Sequence, residues 1–317
     1  MGAFAITAKV CRIVGCGRTP PCDMFRSLQK KRTPHFVAPD AGEFSLRRLL
    51  READAPISIQ AVNNLPEGAQ RRLYQILLPP DLLARFDVRP VSLQGAGGEG
   101  CVDFFAQEKP GLIRITACHE PAAPDPFLTL ELADNSLNGI DLNLLWLTDP
   151  AAPRFDTDVN ESGHATQFGT LSRNLPAEQA AMQAGLAPGQ VRAGLHASQI
   201  VFHALDTFLT MLAHRAVFLE PLTYASAWLF ERRGFAYVRG HKLMDDIHTE
   251  FQPGGRLYRA LDGSPFRQPA QAATVRGRAW AIHDGILEAI GERWDGLRMV
   301  RQVGQRAAAS TFPDAPY

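Results

Sequence analysis

The stretch "AVFLEPLTYASAWLFERRGFAYV", residues 216–238, decides the fold. Its first seven residues are apolar apart from Glu220, the pattern of a strand covered on both faces. Pro221 ends that run because it has no N–H to give to a ladder. Thr223 can cap a helix over "YASAWLFERR", and Gly234 can take the left-handed backbone that stops it. Residues 235–244, "FAYVRGHKLM", read as strand again. Just upstream, residues 190–215 carry an apolar stripe at helical spacing (Val201, Ala204, Leu205, Phe208, Leu212). That run closes on His214 and Arg215, whose positive ends suit a helix C-terminus. The unit is helix, strand, helix, strand.

Four strand-like runs precede it: 101–107, 112–118, 127–134 and 139–149. The last two flank "NSLNG", a turn ending in Asn-Gly, and are expected to form a hairpin. Residues 154–159 and 165–171 are read as a second hairpin around "NESGH", and 176–186 as a helix. Nearer the N-terminus, 41–53 has helical spacing and 56–62 reads as a strand. Residues 66–86 read as a helix broken at Pro79-Pro80 and followed by one more turn. The expected class is α+β (mixed α/β): a mostly antiparallel sheet flanked by helices. The expected organisation is a disordered leader over 1–35, a helical region over 36–95, the main domain over 96–305 and a frayed tail over 306–317.

The 317 residues are 45% hydrophobic and 21% charged, with Lys+Arg and Asp+Glu both 33. That balance argues against a general nucleic-acid binder, which carries a basic surplus. No window is apolar enough for a membrane span, and "MGAFAITAKVCRIVGCG" lacks the charged start of a signal peptide. The five cysteines are odd in number, and Cys11, Cys16 and Cys22 lack zinc-knuckle spacing. A cytoplasmic protein with free thiols is expected.

"LEPLTYASAWLFERRGFAYV" resembles the C-terminal motif of the GNAT N-acyltransferase superfamily, a strand followed by Asn-x-x-Ala-x-x-Leu-Tyr-Glu-x-x-Gly-Phe. In that register Leu229, Phe230, Glu231, Gly234 and Phe235 fall on the motif positions. The family also opens a long helix with a Gln/Arg-x-x-Gly-x-Gly/Ala turn, and "VRAGLH" (191–196) stands at that distance upstream, with Gly194 on the first glycine. Independently of any family, successive amides at a helix start attract a pyrophosphate, and glycine lets it approach. The resemblance implies acetyl-CoA or another acyl-CoA, held where two parallel strands splay apart, here between 165–171 and 216–222. Gln190, Val191, Arg192, Ala193, Gly194, Leu195, His196 and Phe230 would line it. Val191, His196 and Phe230 depart from the pattern, the last replacing a tyrosine that serves as acid towards the thiolate.

Transfer to an amine needs a base, oxyanion donors and an acid for the leaving thiolate. Asp156, Asp158, Glu161 and Glu220 are base candidates. Of these, Glu220 and Asp158 are preferred, with Tyr224 as acid. The acceptor is expected to be an amine of a small molecule or a protein, with no metal, nucleic acid or membrane involved and a homodimer admissible. The alternative is a GNAT-shaped binding module without chemistry, and a third reading is an unrelated mixed α/β protein.

Other clusters carry less. His196, His203 and His214 share a helix face, but the first two lie about 10 Å apart along the axis, too far to share an ion. "FDTDVNESG" fails the calcium-loop pattern at Glu161 and Gln167, and "GAGGEG" (95–100) lacks the P-loop ending. "HKLMDDIH" (241–248) reads as a charged turn. "RGRAWAIHDGIL" (276–287) either packs over the sheet or lines an acceptor pocket.

Overall fold

A computed structural model describes residues 55–106, 109–169, 171–306 and 310–317. The leader, the expected 41–53 helix and Cys11, Cys16 and Cys22 lie outside the described residues.

The described residues begin with short helices α1 (Ile59–Asn63), α2 (Glu67–Gln75) and α3 (Pro80–Ala84), the last two separated at Pro79-Pro80 as the sequence implies. The strand expected over 56–62 is instead α1. Ser58 caps it by accepting from the Ala61 amide, and Asp134 accepts from the Ile59 and Gln60 amides at 2.7 and 2.9 Å. These bonds satisfy the orphan donors of a helix start, and they outweigh the strand-like composition.

Strands β1 (Val102–Phe105), β2 (Leu112–Ala117), β3 (Leu128–Asp134) and β4 (Ile140–Leu147) form an antiparallel meander. The β3–β4 turn is the expected one: the Asn135 amide donates to Gly139 O, and Asn138 takes a positive φ of 56°. Opposite Glu131 and Leu132 stand Leu144 and Leu142, so Asn143 is the extra residue of a bulge in β4. Helices α4 (Leu175–Gln183) and α5 (Ser198–Met211) follow. Among the described residues, the hairpin expected from 154–159 and 165–171 is reduced to one bridge, Val159 to Ala165.

β5 (Ala216–Leu219) joins β4 in parallel. Next come α6 (Tyr224–Glu231), the edge strand β6 (Ala236–Arg239), α7 (His241–Glu250) and α8 (Arg256–Arg259). Two 3₁₀ turns (Pro269–Ala273, Ile286–Ile290) flank α9 (Val275–His283), and β7 (Arg298–Gln302) returns between β5 and β6. The result is a seven-stranded, mostly antiparallel sheet in the order β1-β2-β3-β4-β5-β7-β6, in a mixed α+β fold. Residues 241–244 belong to α7 and do not prolong β6, because Gly240 turns the chain at φ 97°.

Helix α6 forms as the sequence implies. Thr223 and Ser226 make a reciprocal capping box, and Gly234 has φ 89°, with the Gln305 carbonyl oxygen 2.6 Å from where a Cβ would stand. All eight of its residues are buried. Phe230 packs edge-to-face on Phe202 of α5 and on Phe235, and each such side chain contributes roughly 1.5–3 kcal/mol on burial. Helix α5 is held to the sheet by Arg301 of β7, which donates to both Asp206 oxygens at 2.7 Å. The tail expected to fray is docked over 310–317. Thr311 donates to Glu231 at 2.9 and 2.8 Å, Trp228 Nε1 to Phe312 O at 3.0 Å, and Tyr317 stacks on Trp228.

Candidate active site

β4 and β5 pair only at Ile140–Val217 and Asp141–Phe218, and β4 then runs on to Leu147 paired with β3 but not with β5. Arg298, first residue of β7, pins the paired end: it donates to Asp141 at 2.8 Å and to Glu220 at 3.4 Å. Past that clamp β5 ends at Leu219 while β4 continues to Leu147. The expected gap between strands at 165–171 and 216–222 is not found in that form, since the described residues of 165–171 form no strand.

A cleft of about 250 Å³ lies beside the end of β5. One wall is the segment leaving β5, Glu220 to Tyr224; another is Trp294 and Leu297 before β7; a third is Ile282 and His283 of α9. Phe168 and Gly169 face them, with Phe168 packed edge-on against Trp146 of β4 at 6.0 Å. Trp294 is fixed by its indole N–H, which donates to Pro221 O at 3.2 Å, and by the Tyr224 ring at 6.2 Å. Among the described lining residues no Lys or Arg appears, while Glu220 and Asp295 do. Such a lining favours a cation on an apolar body.

Behind His283 sits a buried ion network. His283 Nε2 is 3.3 Å from Glu178 Oε1, and Glu178 also accepts from Arg173 Nε at 2.9 Å. Arg173 and Arg267 both hold Asp284, at 2.7 and 2.8 Å. Burial pushes the Glu178 carboxyl up, but the hydrogen bonds from His283 and Arg173 outweigh it and hold it below the usual range. The Tyr224 hydroxyl is buried and lies against the Arg278 guanidinium. Burial pushes its ionisation up to about 12 against the opposing charge of Arg278.

Of the residues the sequence nominated, Glu220 and Tyr224 meet in this cleft. Asp158 does not line it. Asp158 and Asp156 are both held by Arg154, which also reaches Asp125, the partner of Arg192. The helix expected from 190 begins at Ser198, and 191–195 runs extended beside the end of β4. There Val191 O accepts from Phe155, Ala193 O from Asp149, and the Leu195 amide donates to Leu147 O. Gln190 is buried and accepts from the Ala187 amide at 2.6 Å. Gly194 bridges to Thr148, and His196 holds a positive φ of 54° just ahead of the helix. His214 is not on an exposed face: it is buried, with Nε2 2.9 Å from Ile57 O. Phe230 is fully buried in the core.

At the start of α5, Arg233 Nε donates to Ser198 Oγ at 2.9 Å, and no ion pair joins it among the described residues. Burial and the adjacent Arg232 push its guanidinium below the usual range. The 241–248 cluster forms i,i+4 pairs on α7: His241 with Asp245 at 2.9 Å and Lys242 with Asp246 at 2.5 Å. No helix among the described residues is long and apolar enough to cross a membrane.

His283 belongs to the stretch whose place the sequence left open, and it lines the cleft. Glu178 and Trp294 carried no sequence signal: Glu178 lies in an Ala-rich helix, 105 residues from its histidine. Comparison with family models, curated proteins and solved structures gives no match for this chain.

Proposed function

We propose that the protein is a GNAT-like N-acyltransferase that moves an acetyl or other acyl group from coenzyme A to a small amine. The observation that carries the reading is the short parallel β4–β5 pair, clamped by Arg298, in which β5 ends at Leu219 while β4 continues, with an apolar, acidic cleft beside the end of β5. A thioester entering between the strands meets β4 backbone that β5 leaves unpaired. The cleft supplies a place for the acceptor: Glu220 attracts its ammonium, and Trp294 and Ile282 cover its body. The diphosphate of the donor would meet the first amides of α5, where Arg233 is held by Ser198.

A second reading, a binding module without chemistry, is favoured by the backbone pairing of 191–195, which occupies groups that the motif glycine would otherwise present to a phosphate. Two measurements separate the two readings. Acetyl-CoA should raise the melting temperature through linkage, and free thiol should then accumulate with a panel of primary amines. Stabilisation without thiol release supports the module, and no stabilisation removes the transferase reading.

A further inference from the structure

We propose that His283 is the catalytic base of this cleft and that Glu178 is its positioning residue, the acceptor being a protonated primary amine; this rests on the acyltransferase reading above. Three observations carry it. His283 closes α9 and lines the cleft together with Glu220. Its Nε2 meets the Glu178 carboxylate at 3.3 Å. Its Nδ1 has no hydrogen-bond partner among the described residues.

Glu178 is 2% exposed, and Arg173 holds it as a carboxylate. An ionised carboxylate only accepts, so the proton of a neutral His283 resides on Nε2 and the Nδ1 lone pair is left bare. Gly169 leaves room for the ring: a Cβ there would stand 2.6 Å from His283 Cε1 and 2.8 Å from Nε2. A carboxylate that sets the tautomer of a histidine beside a cleft gives a base aimed at whatever the cleft binds.

The chemistry balances with these parts. His283 Nδ1 takes one proton from the ammonium, and the freed nitrogen lone pair forms a C–N bond to the thioester carbonyl carbon while the carbonyl π pair moves to oxygen. Collapse of the tetrahedral centre re-forms the carbonyl and breaks the C–S bond. A second proton from nitrogen passes to the departing thiolate, giving amide and free thiol. The proton on His283 returns to solvent.

The test uses the full chain and reads both tautomer and rate. Long-range ¹H–¹⁵N NMR of the wild type should show His283 as the Nε2–H form, with that preference weakened in Glu178→Gln. In thiol-release assays with acetyl-CoA and primary amines, His283→Gln should lose roughly 10²–10⁴-fold in turnover. Its thermal shift with acetyl-CoA should be unchanged. Glu178→Gln should lower turnover without changing KM for acetyl-CoA. An Nδ1–H tautomer in the wild type overturns the proposal, and so does full turnover in His283→Gln. If acetyl-CoA produces no thermal shift, the transferase reading falls; the pairing of His283 with Glu178 is then decided by the tautomer alone.

Discussion

At Tyr224, the buried hydroxyl lies against the Arg278 guanidinium, and a hydrogen bond to a charged group contributes about 1.5–3 kcal/mol. Its ring packs edge-to-face on Trp294 and lines the cleft. Tyr224→Phe keeps that packing but takes this oxygen from the buried Arg278 guanidinium, so the variant should be less stable than the wild type by about 1–3 kcal/mol in denaturant unfolding. Unchanged stability would show that this oxygen makes no hydrogen bond of consequence. With its ionisation at about 12, the hydroxyl stays protonated near neutral pH and can only give a proton to a thiolate. Gly169 carries a different constraint. Its φ of 80° strains any side chain by about 1 kcal/mol, and a methyl would push on the His283 ring. Gly169→Ala should therefore reproduce the turnover loss of His283→Gln while acetyl-CoA still stabilises the protein; unchanged turnover would show that the ring needs no such support. Part of this site was legible from sequence. Glu220 and Tyr224 flank the proline that ends a buried strand, a local signal. Glu178 was not, because its role exists only through a partner that the fold brings from far along the chain.

Among the elements, those legible in the sequence are the ones whose cause is local. The meander over 102–147 follows from alternation and an Asn-Gly turn, and α6 from a threonine cap and a terminal glycine. The misread elements were decided by distant groups. Asp134 completes the start of α1, and the end of β4 draws 191–195 out of the helix their spacing suggested. The tail is the clearest instance: Pro, Ala and Ser at a terminus read as frayed, yet Phe312 and Tyr317 pack against the core and Arg278 lies over Phe312 at 3.7 Å. The fully buried carboxylate of Glu231 depends on this docking, since Thr311 supplies two of its hydrogen bonds and Tyr237 the third at 2.7 Å. Removing residues 310–317 should therefore destabilise the fold by about 3 kcal/mol or more, leaving a buried charge short of donors and the Trp228 indole N–H unpaired. Differential scanning calorimetry should show the melting point falling by several degrees. A truncated chain that melts with the full one would mean the tail contributes no docking energy.

Across the whole molecule, equal numbers of acidic and basic residues leave no net charge at neutral pH, so global self-repulsion does not set the acid response. Individual buried carboxylates do, and Glu178 is the one tied to the cleft. Its network joins α4 to α9 and to the loop carrying Arg267, around a small apolar cluster of Ala181, Leu186, Phe266 and Trp280. The Glu178 carboxyl has its folded value depressed below 4.5. By linkage, a depressed group contributes stability that is fully present above its unfolded value and is lost as pH falls through the lower folded value. The folded protein should thus lose stability below about pH 4.5 as Glu178 takes up a proton, and the wall bearing His283 should loosen with it. Glu178→Gln cannot bind that proton, so its unfolding free energy should start lower at neutral pH and fall less steeply into acid. Urea unfolding of both proteins at neutral pH and at about pH 3.5 measures this directly. Parallel acid slopes would mean that Glu178 titrates alike in folded and unfolded chains, and the ionised carboxylate that orients His283 would lose its thermodynamic support.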